Sequence, residues 1–420
     1  MKITTLGAAK EVGRSAFLIN SNNTNILLDY GVLLKREPVF PMHVKPKDID
    51  AVVISHAHLD HSGNVPSLFL NSDSKINALA TLPTFELSQL LIQDMIKISG
   101  FYLPFDFSDL INMLNHSINL EYRKKRQIKD IDITLLESGH VLGGSTVIAE
   151  SEGKRVFYTG DINTRGSKVL RPADLDIQEI DLLIIESTYS QTDQVPRDQS
   201  EKELVSFALE IVERKGILFI PAFSVERAQE IACVLKAYNF PHRIAMDGMA
   251  LKASEIMLRH PSYLRDPEVF TKSINEIENI TSWDKRKKII KSPGVIISPA
   301  GMLVGGSGVF YLQELSKEPL NGIALVSYQG EGTPGRSLLE KAQFSFGGKT
   351  IKCLAEIKKF EFSGHNSRKE LFEILDKVKG NPNVLTVHGD NISCTKFAEE
   401  INEKYGFKAH APDIGEVTIV

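Results

Sequence analysis

Cysteine is scarce in this chain. Cys233, Cys353 and Cys394 are far apart and odd in number, which argues against a disulfide framework and a CxxC zinc site and points to a reducing, cytoplasmic setting. Long hydrophobic runs are absent too. No stretch approaches the roughly 20 apolar residues of a membrane span, and the opening Met1-Lys2-Ile3-Thr4-Thr5-Leu6-Gly7 lacks the apolar core of a secretory signal. Neither sign of charge dominates: 49 Lys and Arg against 53 Asp and Glu leave a formal charge of −4 and a pI near 6.3. A general electrostatic attraction for nucleic acid is therefore excluded, and any such binding must use local charge. Two basic runs, residues 122–126 and 285–288, read as solvated faces. The composition, 42% apolar and 24% charged over 420 residues, is otherwise that of a globular protein of two or three domains.

What is present in abundance is histidine and carboxylate within one short stretch. His56, His58, Asp60 and His61 fall within six positions, directly after the apolar run Ala51-Val52-Val53-Ile54. Neutral imidazole suits zinc, and a carboxylate can hold a second ion. Four such residues ask for further ligands from elsewhere in the chain. His140, Asp161 and His388 each follow a short apolar strand in a glycine-containing turn, where backbone can come close to an ion. Asp161, a carboxylate, can bridge two ions.

Short strands are expected over residues 2–6, 15–20, 25–28, 50–55, 131–136, 146–150, 155–159 and 182–185, with a helix over 83–98. Residues 101–119 show no clear period. From residue 190 strand alternates with helix, beginning with a helix opened by a capping box at Ser200 and Glu203 and a second helix starting at Ser224, which implies a parallel, doubly wound α/β unit. After residue 352 the chain has only a helix over 367–379, a strand over 384–387, a helix near 394–405 and a last strand over 416–420. These residues are too few for a domain of their own. The expected organisation is thus a first domain of residues 1–189 and 354–420, interrupted by an inserted domain of residues 190–353. The last strand must pair either within the fold or across a dimer.

The series His56-x-His58-x-Asp60-His61, His140, Asp161 and His388 resembles the metallo-β-lactamase fold, an α/β αββα sandwich, and the insertion resembles that of its β-CASP branch of nucleases. Three further motifs of the branch match at Glu186 in Ile185-Glu186-Ser187-Thr188-Tyr189, His365 in Phe362-Ser363-Gly364-His365, and His388. Residues 11–15 and His388-Gly389-Asp390 look closest to the short archaeal RNases of the cleavage and polyadenylation specificity factor type. On that resemblance no appended RNA-binding domain and no RNase J-like C-terminal extension is expected. It implies two zinc ions, one held by His56, His58, His140 and Asp161, the other by Asp60, His61, Asp161 and His388. Asp60 counts among the catalytic residues as well as the ligands. Glu186 and His365 are implied as a proton-donating pair, and Asp29 as a residue that orients the ligands. The implied function is cleavage of single-stranded RNA, mainly internal with 5′-to-3′ trimming as a further mode, by a cytoplasmic homodimer without membrane association, in RNA processing together with complex partners. In the insertion, Arg227, Ser298 and Arg336 stand at strand ends and glycine loops where RNA phosphates are expected, in the groove between domains. Two other readings stand beside this: a hydrolase of small esters or thioesters on the same fold, and a non-catalytic RNA-processing scaffold.

Overall fold

The computed structural model describes residues 1–35, 37–70 and 75–420. Two compact units emerge. The first comprises Met1–Gly166, Arg171–Asp193 and Gly364–Val420, the second Ser167–Leu170 and Gln194–Ser363.

The first unit holds two seven-stranded sheets. In one, the order is Val417–Ile419, Lys2–Thr5, Phe17–Ser21, Thr24–Leu28, Ala51–Val53, Asn77–Ala80 and Ser117–Asn119. In the other it is Lys408–His410, Asn383–Val387, Leu182–Glu186, Lys154–Tyr158, Ser145–Ser151, Ile131–Glu137 and Lys125–Ile128. Alternate residues of a strand face opposite sides, and both sides are apolar here. Ile3, Phe17, Ile26, Leu28 and Val53 meet Ile133, Leu135, Val147, Val156, Ile184 and Leu385 in a core between the sheets. Leu27, Val52, Ala78 and Ala80 turn the other way, against Phe85, Ile92 and Met95 of the helix Leu82–Ser99 and Leu110 and Met113 of the helix Phe107–Asn115. On the second sheet Phe157, Leu183, Ile185 and Val384 meet Leu371 and Ile374 of Arg368–Leu375 and Phe397 and Ile401 of Asn391–Tyr405. The layers are helix, sheet, sheet, helix. The last strand resolves the pairing question: Val417–Ile419 lies antiparallel to Lys2–Thr5 of the same chain.

The second unit is a six-stranded parallel sheet in the order Glu278–Ile280, Ile244–Asp247, Gly294–Ser298, Ile217–Pro221, Gly322–Leu325 and Glu356–Lys359. Phe219, Ile296, Ile323 and Leu325 pack on Tyr311, Leu312 and Leu315 of the helix Ser307–Leu315. Leu218, Ile220, Val295 and Ile297 on the opposite pleat are equally buried, with Arg197–Glu213 and Arg227–Ala237 on that side. Central parallel strands are apolar on both pleats for this reason.

Three local expectations need correction, and one stretch without a clear period gains an element. Residues 101–119 contain the helix Phe107–Asn115, opened by a reciprocal box between Asp106 and Asp109 instead of the commoner Ser/Thr and Glu pair. The helix expected to open at Ser200 begins at Arg197, because Pro196, with φ −51, already sets the entry angle, and Ser200 is buried inside it. The following helix starts at Arg227 and not at Ser224, because Glu226 stands at φ 72, outside the helical region. The second unit extends to Ser363, beyond residue 353, because Glu356–Lys359 pairs in parallel with Gly322–Leu325. No helix of the described residues is long and apolar enough to cross a membrane.

Candidate metal centre

Strands of the first unit end where chemistry-bearing residues begin. Asp29 follows Thr24–Leu28, and His56 and His58 follow Ala51–Val53, with Asp60 and His61 on the single turn Leu59–Ser62. In the second sheet His140 follows Ile131–Glu137, Asp161 follows Lys154–Tyr158, Glu186 closes Leu182–Glu186 and His388 follows Asn383–Val387. These four strands run in one direction, so their C-terminal ends share an edge.

The result is one buried cluster. Asp161 Oδ2 lies 3.5 Å from His56 Nε2 and 3.4 Å from His140 Nε2, while Oδ1 lies 3.3 Å from both His61 Nε2 and His388 Nδ1. His58 Nδ1 is 3.1 Å from His140 Nε2, and Asp60 Oδ2 is 3.2 Å from His388 Nε2. One ligand atom from each of His56, His58, His140 and Asp161 falls within 4.8 Å of the others, and the same holds for Asp60, His61, Asp161 and His388. A third such group, Asp161, Glu186 and His365, is smaller. There both oxygens of Glu186 already lie 3.0 Å from His365 Nδ1.

This donor set fits metal. His56 Nε2 and Asp161 Oδ1 are buried polar atoms without a hydrogen bond, an arrangement that costs free energy unless something else satisfies them. Burial and the neighbouring His61 hold His56 well below the usual imidazole range; burial and His365 do the same to His140, and burial lowers His58. Neutral imidazole is the ligating form. For His61, burial acts downward, but Asp161, Asp29 and Asp60 outweigh it and hold the ring well above that range. Burial raises Asp161 and Asp60, yet imidazoles dominate: His388 and His61 hold Asp161 well below the carboxylate range, and His61 and His388 lower Asp60.

Outer contacts orient the rings. Asp29 Oδ2 lies 2.7 Å from His61 Nδ1 and accepts a hydrogen bond from Tyr158 Oη at 2.7 Å; Asp29 Oδ1 accepts the Ser55 N–H at 2.6 Å. His140 Nδ1 donates to the Gly364 carbonyl at 2.8 Å. Tyr158, Ser55 and Gly364 escape the sequence reading. Ser55 has only its place beside His56 as a signal, and the other two have none, since they act across the fold. Glu186 is fully buried and also accepts the Ile162 N–H at 3.0 Å. His365 Nε2 stands 3.8 Å from Asp161 Oδ2. Burial lowers His365, but Glu186 and Asp161 overcome it and push its pKa up to about 9.

The three residues expected at phosphates are not gathered in this way. Arg227 is buried and ion-paired with Glu230. Ser298 is buried, 2.7 Å from the Ser307 hydroxyl. Arg336 is about half exposed and paired with Glu340 at 2.5 Å.

Residues 18–187 match the metallo-beta-lactamase superfamily domain, residues 228–338 the Beta-Casp domain, and residues 350–412 the Zn-dependent metallo-hydrolase RNA specificity domain. The chain is 34% identical to RNase aCSPSF2 of Saccharolobus solfataricus over 98% of its length and 84% of the relative's. It is 35% identical to the probable RNase MJ4 of Methanocaldococcus jannaschii over 99% of both. Transcription termination factor FttA of Pyrococcus abyssi is 34% identical over 98% of this chain and 70% of its own length. A solved structure of a protein of unknown function from Enterococcus faecalis V583 shares the fold, with TM-score 0.64 at 14% identity, covering 100% of this chain and 99% of the other.

Proposed function

Because the chain belongs to the β-CASP family of metallo-β-lactamase-fold RNases, among the archaeal cleavage and polyadenylation specificity factor type, we propose that it is a zinc-dependent ribonuclease. It hydrolyses phosphodiester bonds of single-stranded RNA, mainly internally and also from the 5′ end, in cytoplasmic RNA processing. The observation that carries this reading is Asp161 with one oxygen turned to His56 and His140 and the other to His61 and His388.

His56, His58, His140 and Asp161 would hold one zinc ion, and Asp60, His61, Asp161 and His388 a second. When bound, such ions supply Lewis acidity for activating water and neutralising charge on the phosphodiester. The chain's own residues do the rest. Asp29 fixes His61 through Nδ1 and so aims Nε2 into the cluster, while the Gly364 carbonyl does this for His140. As the P–O bond breaks, His365 gives a proton from Nε2 to the departing ribose oxygen, and Glu186, on Nδ1, stabilises the charged ring. Arg336, half exposed, offers a phosphate the part of its guanidinium that Glu340 does not hold; a phosphate reaching the buried Arg227 or Ser298 would require their present partners to let go. In the cell we place the protein as a homodimer working with RNA-processing partners. The fold also serves small-ester hydrolases, but the match to an RNA specificity domain favours RNA.

End-labelled RNA incubated with purified protein and zinc tests the reading. The expected result is cleavage that chelator abolishes, and His365→Ala slower by about two to four orders of magnitude, the usual span of general acid catalysis. Unchanged turnover in His365→Ala would remove the assigned proton donor. Activity that persists in chelator, with no zinc by elemental analysis, would remove the metal centre.

A further inference from the structure

The basic run at residues 285–288 reads in sequence as a solvated face, yet in the structure its helix also carries an exposed aromatic, over which Arg286 of the run is laid. Trp283, the chain's single tryptophan, opens the helix Trp283–Ile289 and is 58% exposed. It follows the strand Glu278–Ile280 at the edge of the parallel sheet. Exposed as it is, the indole is held firmly. The Arg286 guanidinium sits 4.9 Å from its ring centroid, and the Phe310 ring meets it edge to face at 5.4 Å and 89°. Arg286 is itself locked, with Nε 2.7 Å from Asp247 Oδ2 and Nη2 2.9 Å from Oδ1. Asp247 is fully buried and takes a further hydrogen bond from Tyr311 Oη at 2.7 Å. A guanidinium bound to a buried carboxylate cannot swing away, so the ring it covers is preorganised and loses little freedom on meeting a ligand.

Lys285, Lys287 and Lys288 on the same helix, and Lys291 just beyond it, are exposed, against a single carboxylate on this stretch, Asp284. Lys285 Nζ donates to the Asn279 carbonyl at 3.1 Å. Lys287, Lys288 and Lys291 have no acidic partner among the described residues. Exposed lysines on the helix that carries a fixed, exposed indole match the chemistry of a single nucleic-acid strand: phosphates for the ammonium groups and a base for the aromatic face.

We infer that the Trp283–Ile289 helix is an RNA-holding site of the second unit, in which the indole stacks one base and Lys285, Lys287 and Lys288 take flanking phosphates. It lies on elements apart from the histidine cluster, and it rests on the reading of the protein as an RNA-binding enzyme. Its role is to retain strand, so it affects KM and binding and not the chemical step.

The lone tryptophan makes the test direct. Protein otherwise wild type but carrying Asp161→Asn to prevent cutting, with zinc present, serves as the reference and is titrated with fluorescein-labelled single-stranded RNA followed by anisotropy, and with the same unlabelled RNA followed by tryptophan emission. Inorganic polyphosphate, which has charge but no bases, and vesicles of anionic lipid serve as the other probes. RNA should quench the emission in step with the anisotropy, and polyphosphate should not. Trp283→Leu should weaken RNA binding about tenfold, with partial recovery in Trp283→Phe. Lys287→Gln with Lys288→Gln should lower the slope of log affinity against log salt by about two. In active protein Trp283→Leu should raise KM and leave kcat unchanged. RNA that binds by anisotropy without altering the indole, or that binds Trp283→Leu as tightly as the reference, overturns the inference alone. So does an emission change with anionic vesicles in place of RNA. If the labelled RNA does not bind at all, the inference falls together with the ribonuclease reading.

Discussion

Asp161 has to be ionised to face four imidazoles, and it is buried, so its charge is stable only because those rings answer it. The second unit contains the opposite case. Glu226 is buried at φ 72, its Oε2 has no hydrogen bond, and Oε1 receives only the Ser167 hydroxyl at 3.2 Å. Burial therefore raises its pKa to about 7, against the opposing pull of Arg227, the Ser167 hydroxyl and Arg197. A carboxyl whose pKa is higher folded than unfolded binds its proton more tightly in the folded state. Its contribution is complete below about pH 4.5 and is lost as pH rises through about 7, which amounts to roughly 3 kcal/mol from this group. Urea denaturation of wild type and Glu226→Gln across pH 5 to 8 checks it: the stability difference between the two should shift in favour of the variant as pH rises, and parallel curves would contradict the assignment. At this scale the sequence was legible where residues are close in the chain, as in His56 to His61, or stand at strand ends, as His140, Asp161 and His388 do. Tyr158, Ser55 and the Gly364 carbonyl were not legible. They act on the cluster by hydrogen bonds made across the fold, from Tyr158 and Ser55 to Asp29 and from His140 to Gly364, and adjacency to His56 or His365 does not announce those partners.

The turn Leu59–Ser62 that carries Asp60 and His61 is held against residues 30–32 by backbone hydrogen bonds. The Tyr30 N–H donates to the His61 carbonyl and the Val32 N–H to the Leu59 carbonyl, each at 2.9 Å, and between them Gly31 lies flush against Asp60. A Cβ at residue 31 would stand 1.8 Å from the Asp60 carbonyl oxygen and 2.6 Å from the His61 nitrogen. Gly31→Ala must push that turn away from His388 and Asp161. It should cost at least about 1–3 kcal/mol of stability and reduce bound zinc, while Gly305→Ala, whose Cβ meets nothing within 4 Å, should stay within about 0.5 kcal/mol. Thermal melting and elemental analysis of both variants check this; equal behaviour would show that the turn can yield. Most strands and the helix Leu82–Ser99 were legible because their apolar periodicity is long or clean. Phe107–Asn115 was not, because Phe107 and Ile111 put apolar residues on its exposed side, away from the buried Leu110 and Met113, and its box uses two aspartates. Glu356–Lys359, a strand of two lysines and a glutamate around Ile357, has no apolar run to mark it; only its pairing with Gly322–Leu325 makes it a strand.

For the molecule as a whole, the unbonded His56 Nε2 and Asp161 Oδ1 at one sheet edge would couple metal binding to folding. A metal that binds the folded chain alone stabilises it by about 2.7 kcal/mol at a hundredfold excess over its Kd. Melting in zinc should therefore run several degrees above melting in chelator, and coincident curves would deny the site. The division of the chain has a consequence in time. The first unit contains Met1–Gly166 and Arg171–Asp193 but also Gly364–Val420, with all of Gln194–Ser363 between them. A ribosome makes Asp60 and Asp161 early, and His365 and His388 only after the second unit has been synthesised. Until His365 and His388 have been made, the nascent chain lacks residues that complete the cluster, so the first unit's own edge is finished only after the whole second unit has been synthesised.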